Sequence, residues 1–357
     1  MILPKEWNNN INGREVVIWG IGEAVPEVIS ELHSYGISNI NFFISRDWHT
    51  TSKFMGRDVY GKQTLNKEKH FVVIGSLRYS DDIKEELLQL DFSEDMDFAI
   101  YYKTKYEKVY TEIKKHINLE GKCILEVGAG RGDFTRYMAE VSGAEYVNAI
   151  EYDLDIWKTE SSSGPNWKIT QGDVRELLFD DNSFDYVVSI FVFEHINGLS
   201  KALLEIERTL KPGGKCFAHF TPIWSSILGN HCDLLSPRDL SVTPPWGHLF
   251  MKPDEMLEHI GKLRDEETAK QAVYRIYESS TINRYTRQNY YLIFASSGMN
   301  IIYLKEICQT DRKNNQKNNE FYTLTKKQQS LLLNQYSKVD LSVCGFTIIL
   351  QKNVNWP

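Results

Sequence analysis

The segment Ile124-Leu125-Glu126-Val127-Gly128-Ala129-Gly130-Arg131-Gly132-Asp133 constrains this chain more than any other. An apolar run, Lys122–Val127, ends in glycines at alternate positions, and an amphipathic stretch near Asp133–Val141 follows. Without a Cβ, glycine lets the backbone turn tightly and approach a ligand, and a helix that follows aims its first amides there. The pattern predicts strand, turn, helix. Its Gly-x-Gly-x-Gly spacing departs from the dinucleotide pattern Gly-x-Gly-x-x-Gly, because position 133 is aspartate. Glu126 stands two residues before the first glycine. Glu151 closes the next apolar run, about 20 residues beyond the turn, where an acidic side chain hydrogen-bonds a ribose diol in this kind of fold.

Alternation of strand and helix continues on both sides of that turn. Upstream, Arg14–Trp19 is followed by Gly20-Ile21-Gly22 and by Val25, Val28, Ile29 and Leu32 at helical spacing, with further apolar runs at Ile40–Ile44 and Phe71–Ile74 and an amphipathic segment Asp81–Leu90. Residues 1–95 therefore read as a small α/β domain. Residues 96–118 read as a connecting helix, with Tyr102, Tyr106, Tyr110 and Ile113 on one face, either packed or closing over a ligand. Downstream, strands are predicted near Trp167–Thr170, Tyr186–Phe193, Lys215–Phe220, Asn300–Leu304 and Leu341–Leu350, with helices at Leu199–Leu210, Arg287–Ser297 and Lys326–Tyr336 and a polar loop at Asp311–Asn319. Between about 222 and 285 the alternation stops, and an insertion carries Trp224, Trp246, Phe250, His231, His248 and His259.

At ~150 residues per domain, 357 residues suit two domains. The hydrophobic share of 42 % and charged share of 25 % exclude collagen-like, disordered and disulfide-scaffold classes. A net charge of −7 supplies no broad positive field for nucleic acid. No leader and no membrane span are expected, and the five widely spaced cysteines read as reduced thiols of a cytoplasmic protein, with no metal-ligand spacing.

Glu126-Val127-Gly128-Ala129-Gly130-Arg131-Gly132, Glu151, Gly172-Asp173-Val174, Glu194-His195-Ile196 and Leu210-Lys211-Pro212-Gly213-Gly214 occur in that order. Together they resemble a class I S-adenosylmethionine-dependent methyltransferase of the type 11 kind, over roughly residues 100–221 and 286–357. The resemblance implies two Rossmann-like α/β domains, the second (119–357) a seven-stranded methyltransferase sheet with a substrate-capping insertion at 222–285. It implies S-adenosyl-L-methionine as cofactor. Gly128, Gly130 and Gly132 would line its methionine and ribose side, and Glu126 would hold the ammonium group directly or through water. Glu151 would take the ribose hydroxyls, Asp173 the adenine amino group with the Val174 amide beside it, and Phe191 would present backbone.

The sulfonium needs little activation, so alignment supplies most of the rate. An alcohol acceptor also needs a base, and His195, His231 and His248 are the candidates. Aromatic faces in the insertion suit a sugar or another polar ring, which points to O-methylation of a small-molecule acceptor such as a sugar, nucleotide sugar or glycan precursor. N-methylation of an amine or amino sugar and a non-catalytic cofactor-binding role stand as alternatives. The first domain lacks a third glycine at Val25 and a ribose carboxylate at Ser45-Arg46-Asp47, which argues against an oxidoreductase using NAD. It is similar to Rossmann-like domains attached to bacterial enzymes of surface-polysaccharide biosynthesis. It reads either as a structural or dimerisation domain, with a homodimer as the partner state, or as a handle for the phosphate end of an activated sugar.

Overall fold

The strand Glu15–Trp19 (β1), buried from Val16 onward, lies at the centre of the first of two units. The computed structural model describes residues 10–21, 25–34, 36–76, 79–130, 132–152, 163–231, 243–308 and 324–354. Its two units are Met1–Ile117 and Asn118–Pro357. Gly22, Arg131 and Cys232, the tract 311–319 expected as a loop and the first nine residues lie outside the described residues.

The first unit continues with α1 (Val25–Ser34), β2 (Ile40–Ile44), β3 (Lys53–Phe54), β4 (Arg57–Tyr60), β5 (His70–Ile74), α2 (Ser80–Gln89), β6 (Phe98–Ile100) and α3 (Tyr101–Lys114). Its sheet runs β3-β4-β2-β1-β5-β6, parallel except for β3. Val25, Val28, Ile29 and Leu32 bury one face of α1 against β1 and β2, as their spacing predicts. The β3–β4 hairpin escaped the sequence reading because its strands are short and mostly polar. It turns on Met55 and Gly56, both at positive φ, the conformation a tight hairpin turn requires. Helix α3 follows β6 directly, and Tyr101 and Tyr106 pack on the core of the first unit. The Tyr102 side chain lies outside the described residues. At the end of β2, Arg46 is held by Glu86 at 2.5 Å and Asp82 at 3.4 Å.

The second unit contains β7 (Cys123–Val127), α4 (Asp133–Val141), β8 (Tyr146–Glu151), β9 (Ser163–Gly164), β10 (Trp167–Gln171), β11 (Phe184–Ile190), α5 (Leu199–Thr209) and β12 (Leu210–Phe220). After it come α6 (Gly247–Phe250), α7 (Pro253–Gly261), α8 (Glu266–Tyr277), α9 (Arg287–Ala295), β13 (Asn300–Cys308), α10 (Lys326–Leu333), α11 (Lys338–Ser342) and β14 (Val343–Gln351). The order β13-β14-β12-β11-β7-β8-β10-β9 is that of a class I methyltransferase sheet, with β14 antiparallel to both neighbours and the two-residue β9 added at one edge. Strand order reverses between β7 and β11, so the carboxyl ends of β7, β8, β10 and β11 form the ligand crevice of such a sheet. The expected strand at 341–350 begins only at Val343, because Ser337 caps the short helix α11 through the Asp340 amide.

The core under β12 and β14 is aromatic. The Phe220 ring centroid lies 5.6 Å from Phe193 and from Phe346 and 4.9 Å from Tyr290. Truncating so central a ring costs about 3–5 kcal/mol. The insertion is helical: α7 and α8 pair through Met256, Ile260, Ala269, Ala272 and Ile276. Among the described residues no helix is long and apolar enough to cross a membrane.

Candidate active site

The glycine turn after β7 has φ of 81° at Gly128, 55° at Gly130 and 82° at Gly132, all in the left-handed region. The three glycines serve different purposes. A Cβ at Gly128 would stand 2.2 Å from Val192 Cγ2, and one at Gly132 would stand 2.2 Å from Ile169 Cδ1. Those two permit close packing. Among the described residues a Cβ at Gly130 would meet nothing within 4 Å, so the turn presents bare backbone there. Such a cradle at a strand end and helix start fits a nucleoside-bearing cofactor.

Two carboxylates frame this turn. Glu126, on β7, is buried, and its Oε2 accepts a 2.5 Å hydrogen bond from Thr135 Oγ1 on α4. Burial pushes its carboxyl up to about 8, with the Thr135 bond opposing and the charges of Glu151 and Asp133 adding to the rise. Glu151, the last residue of β8, accepts from the Gly130 amide at 2.7 Å and from the Tyr152 amide at 2.8 Å.

Asp173, beyond β10, is gripped by Arg175. The guanidinium reaches both carboxylate oxygens at 2.6–3.0 Å, and the Arg175 amide adds a third partner at 2.9 Å. The Arg175 bond holds the Asp173 carboxyl below the usual carboxylate range. The expected adenine acceptor is thus already ion-paired, and Arg175, 5.6 Å from the Tyr152 ring, is a site residue that the sequence reading missed. The Val174 side chain is buried in the core. Phe191 follows β11 at φ 58°, a region bulky residues rarely adopt, and its amide donates to His219 at 2.8 Å. Backbone strain of this kind concentrates at functional sites.

The three histidines separate by environment. His195 is exposed, and its Nδ1 lies 2.7 Å from the Thr281 carbonyl. A carbonyl only accepts, so Nδ1 carries a proton in this contact. His231 Nε2 lies 2.7 Å from the Pro222 carbonyl, and its ring meets that of His195 edge to face at 4.8 Å. Burial first, then the His195 charge, push His231 down to about 3. His248 Nε2 lies 2.8 Å from the Trp224 carbonyl, and burial pushes that imidazole down to about 4. The fold brings His195 and His231 together, with His248 anchored on Trp224.

Further residues that the sequence did not single out fasten this region. Asn283 donates through Nδ2 to the Phe193 carbonyl at 2.7 Å, its amide donates to the Glu194 carbonyl at 3.1 Å, and its Oδ1 accepts from the Tyr290 hydroxyl at 3.1 Å. No spacing rule marks an asparagine that stitches two distant loops. Among the described residues no group of three His, Cys, Asp or Glu side chains is placed to hold a metal.

Residues 125–218 match the family described as a methyltransferase domain, and residues 12–96 match one described as C2185-like, N-terminal. The chain is 29 % identical over 170 residues to a demethylmenaquinone methyltransferase of Staphylococcus aureus, covering 45 % of this chain and 68 % of that protein. It is similar to an S-adenosylmethionine-dependent methyltransferase from Mesorhizobium loti, at 14 % identity and TM-score 0.41, covering 68 % of this chain and 96 % of the other. A methyltransferase from Methanosarcina mazei matches at 17 % identity and TM-score 0.41, covering 69 % and 99 %. Residues 125–218 are thus those of a methyltransferase domain that uses S-adenosylmethionine.

Proposed function

We propose that the enzyme methylates a hydroxyl of a small carbohydrate acceptor, a sugar, nucleotide sugar or glycan precursor, in the cytoplasm. The observation that carries this reading is a set of buried polar atoms beside Trp224 in the insertion. Ser225 Oγ, Ser226 Oγ and His248 Nδ1 are buried without a hydrogen-bond partner among the described residues, next to Trp224. Buried polar atoms call for partners, and a hydroxylated ring beside an aromatic face supplies them.

The bound cofactor supplies an electrophilic methyl group on sulfur. Around it, Glu126 would answer the ammonium group, Glu151 the ribose, and Asp173 with the Val174 amide the adenine edge. The turn at Gly128, Gly130 and Gly132 and the Phe191 backbone line the rest. His195 accepts the acceptor hydroxyl's proton at Nε2, since Thr281 fixes the proton on Nδ1. His231 is too depressed to keep a proton near neutrality, so it acts as a neutral neighbour of His195.

The test is incubation with methyl-labelled S-adenosylmethionine and a panel of nucleotide sugars, sugar phosphates, amino sugars and demethylmenaquinone, read by mass. Label on a sugar oxygen is the expected result. Label only on an amino nitrogen or on the quinone overturns the acceptor assignment.

A further inference from the structure

Glu194 is buried to 2 % exposure within the loop after β11, one residue before His195. Its Oε1 accepts from the Thr221 amide at 3.3 Å, and its carbonyl accepts from the Asn283 amide at 3.1 Å. Its Oε2 is buried with no hydrogen-bond partner among the described residues. The two segments it ties together are those that orient the histidine pair. Pro222, next to Thr221, offers the carbonyl to His231, and Thr281, two residues before Asn283, offers the carbonyl to His195.

From this juxtaposition we infer that Glu194 is a positioning residue, a clasp that sets the relative placement of the His195 and His231 rings and works only while its carboxyl is neutral. This rests on the proposed role of His195 as base. A neutral carboxyl leaves one polar atom unsatisfied, a modest cost, whereas an ionised one would be a buried charge with no cation against it. The ionisable group facing it from α9 is Tyr290, whose hydroxyl is itself pushed well above its ordinary range. His195 is adjacent in the chain, and neither it nor Tyr290 supplies a fixed positive charge. Burial pushes Glu194 up to about 8, so the clasp is in its neutral form at pH 7 and opens in mildly alkaline solution.

The experiment follows the imidazole carbon-bound proton of His195 by NMR across pH 6–10 in the full chain, assigned by its loss in His195→Gln. In the wild type an inflection near pH 8 is expected beyond the ring's own titration. It should vanish in Glu194→Gln, which stays neutral, and persist in Glu126→Gln, which removes the other carboxyl titrating there. No inflection in the wild type, or one that survives Glu194→Gln, overturns the inference, and the wild-type arm decides even where the glutamine variant fails to fold. Methyl transfer by His195→Ala, measured separately with the acceptor panel, tests the base itself. An inflection that behaves as expected beside an active His195→Ala would leave the clasp standing and sink the base.

Discussion

The amide of Gly130 donates to Glu151 Oε2 at 2.7 Å, so the carboxylate at the end of β8 also holds the glycine turn at the end of β7. Replacing Glu151 by alanine removes this tether together with the partner proposed for the ribose. A charge-assisted hydrogen bond contributes about 1.5–3 kcal/mol. Glu151→Ala should therefore weaken S-adenosylhomocysteine binding about 10–100-fold, as read by calorimetric titration, and also lower the thermal midpoint of the free protein, which loses the tether.

The glycines should part company on substitution. Gly130→Ala places its Cβ within 4 Å of nothing among the described residues, so its cost to folding is the left-handed backbone alone, about 1–2 kcal/mol. The cofactor would still meet that methyl group, so binding should fall sharply. Gly128→Ala adds a clash with Val192 to the same backbone cost and should destabilise the fold itself. Denaturant midpoints beside S-adenosylhomocysteine titrations of both variants check the distinction.

Most of the second sheet was legible because β7, β8, β11 and β12 are largely buried apolar runs, with β7 running into Gly128 and β8 closing on Glu151. The site was legible only where a backbone demand forces a residue type, as at Gly128, Gly130 and Gly132. Arg175 was not, since an arginine two residues beyond Asp173 looks like any solvated cation until the chain bends it back onto the carboxylate. Asn283 and Thr281 were invisible for another reason. Their partners, Phe193, Glu194 and His195, are backbone groups or rings far along the chain, and only the return of the insertion to the sheet brings them together. Histidine identity likewise carried no burial, and burial is what separates His195 from His231 and His248.

Those environments predict different variant phenotypes. His195→Ala should lower the turnover number about 10²–10⁴-fold, the usual worth of a general base, and leave S-adenosylhomocysteine binding intact. His248→Ala removes a buried donor from the Trp224 carbonyl and should cost about 1–3 kcal/mol of stability. Chemical denaturation run beside steady-state kinetics on the identified acceptor separates the two outcomes.

Glu126 makes cofactor binding proton-linked. In the free protein its carboxyl is pushed up to about 8, so at pH 7 it is mostly protonated, and the ammonium group of the cofactor favours the ionised form. Binding at pH 7 should then release close to one proton, and affinity should rise with pH up to about 8. Titration calorimetry in buffers of different ionisation enthalpy reads this release directly. Glu126→Gln should abolish it, and an unchanged proton count in that variant would falsify the assignment of Glu126 to the ammonium group.

The same groups set how stability varies with pH, with opposite signs. His231 and His248 are pushed down to about 3 and about 4, so below the ordinary histidine range near 6.5 the unfolded chain binds protons that the folded one refuses. Their contribution should fall as pH drops from about 6.5 toward 4. Glu126 and Glu194 are pushed up to about 8, so the folded chain keeps protons that the unfolded chain has released. Their contribution is fully present below about 4.5 and is lost as pH rises through 8. Where each group is fully out of balance, the slope is about 1.4 kcal/mol per pH unit. Urea midpoints of the free protein should therefore peak between the two limbs. Glu126→Gln should flatten the alkaline limb and His248→Phe the acid limb, each without altering the other.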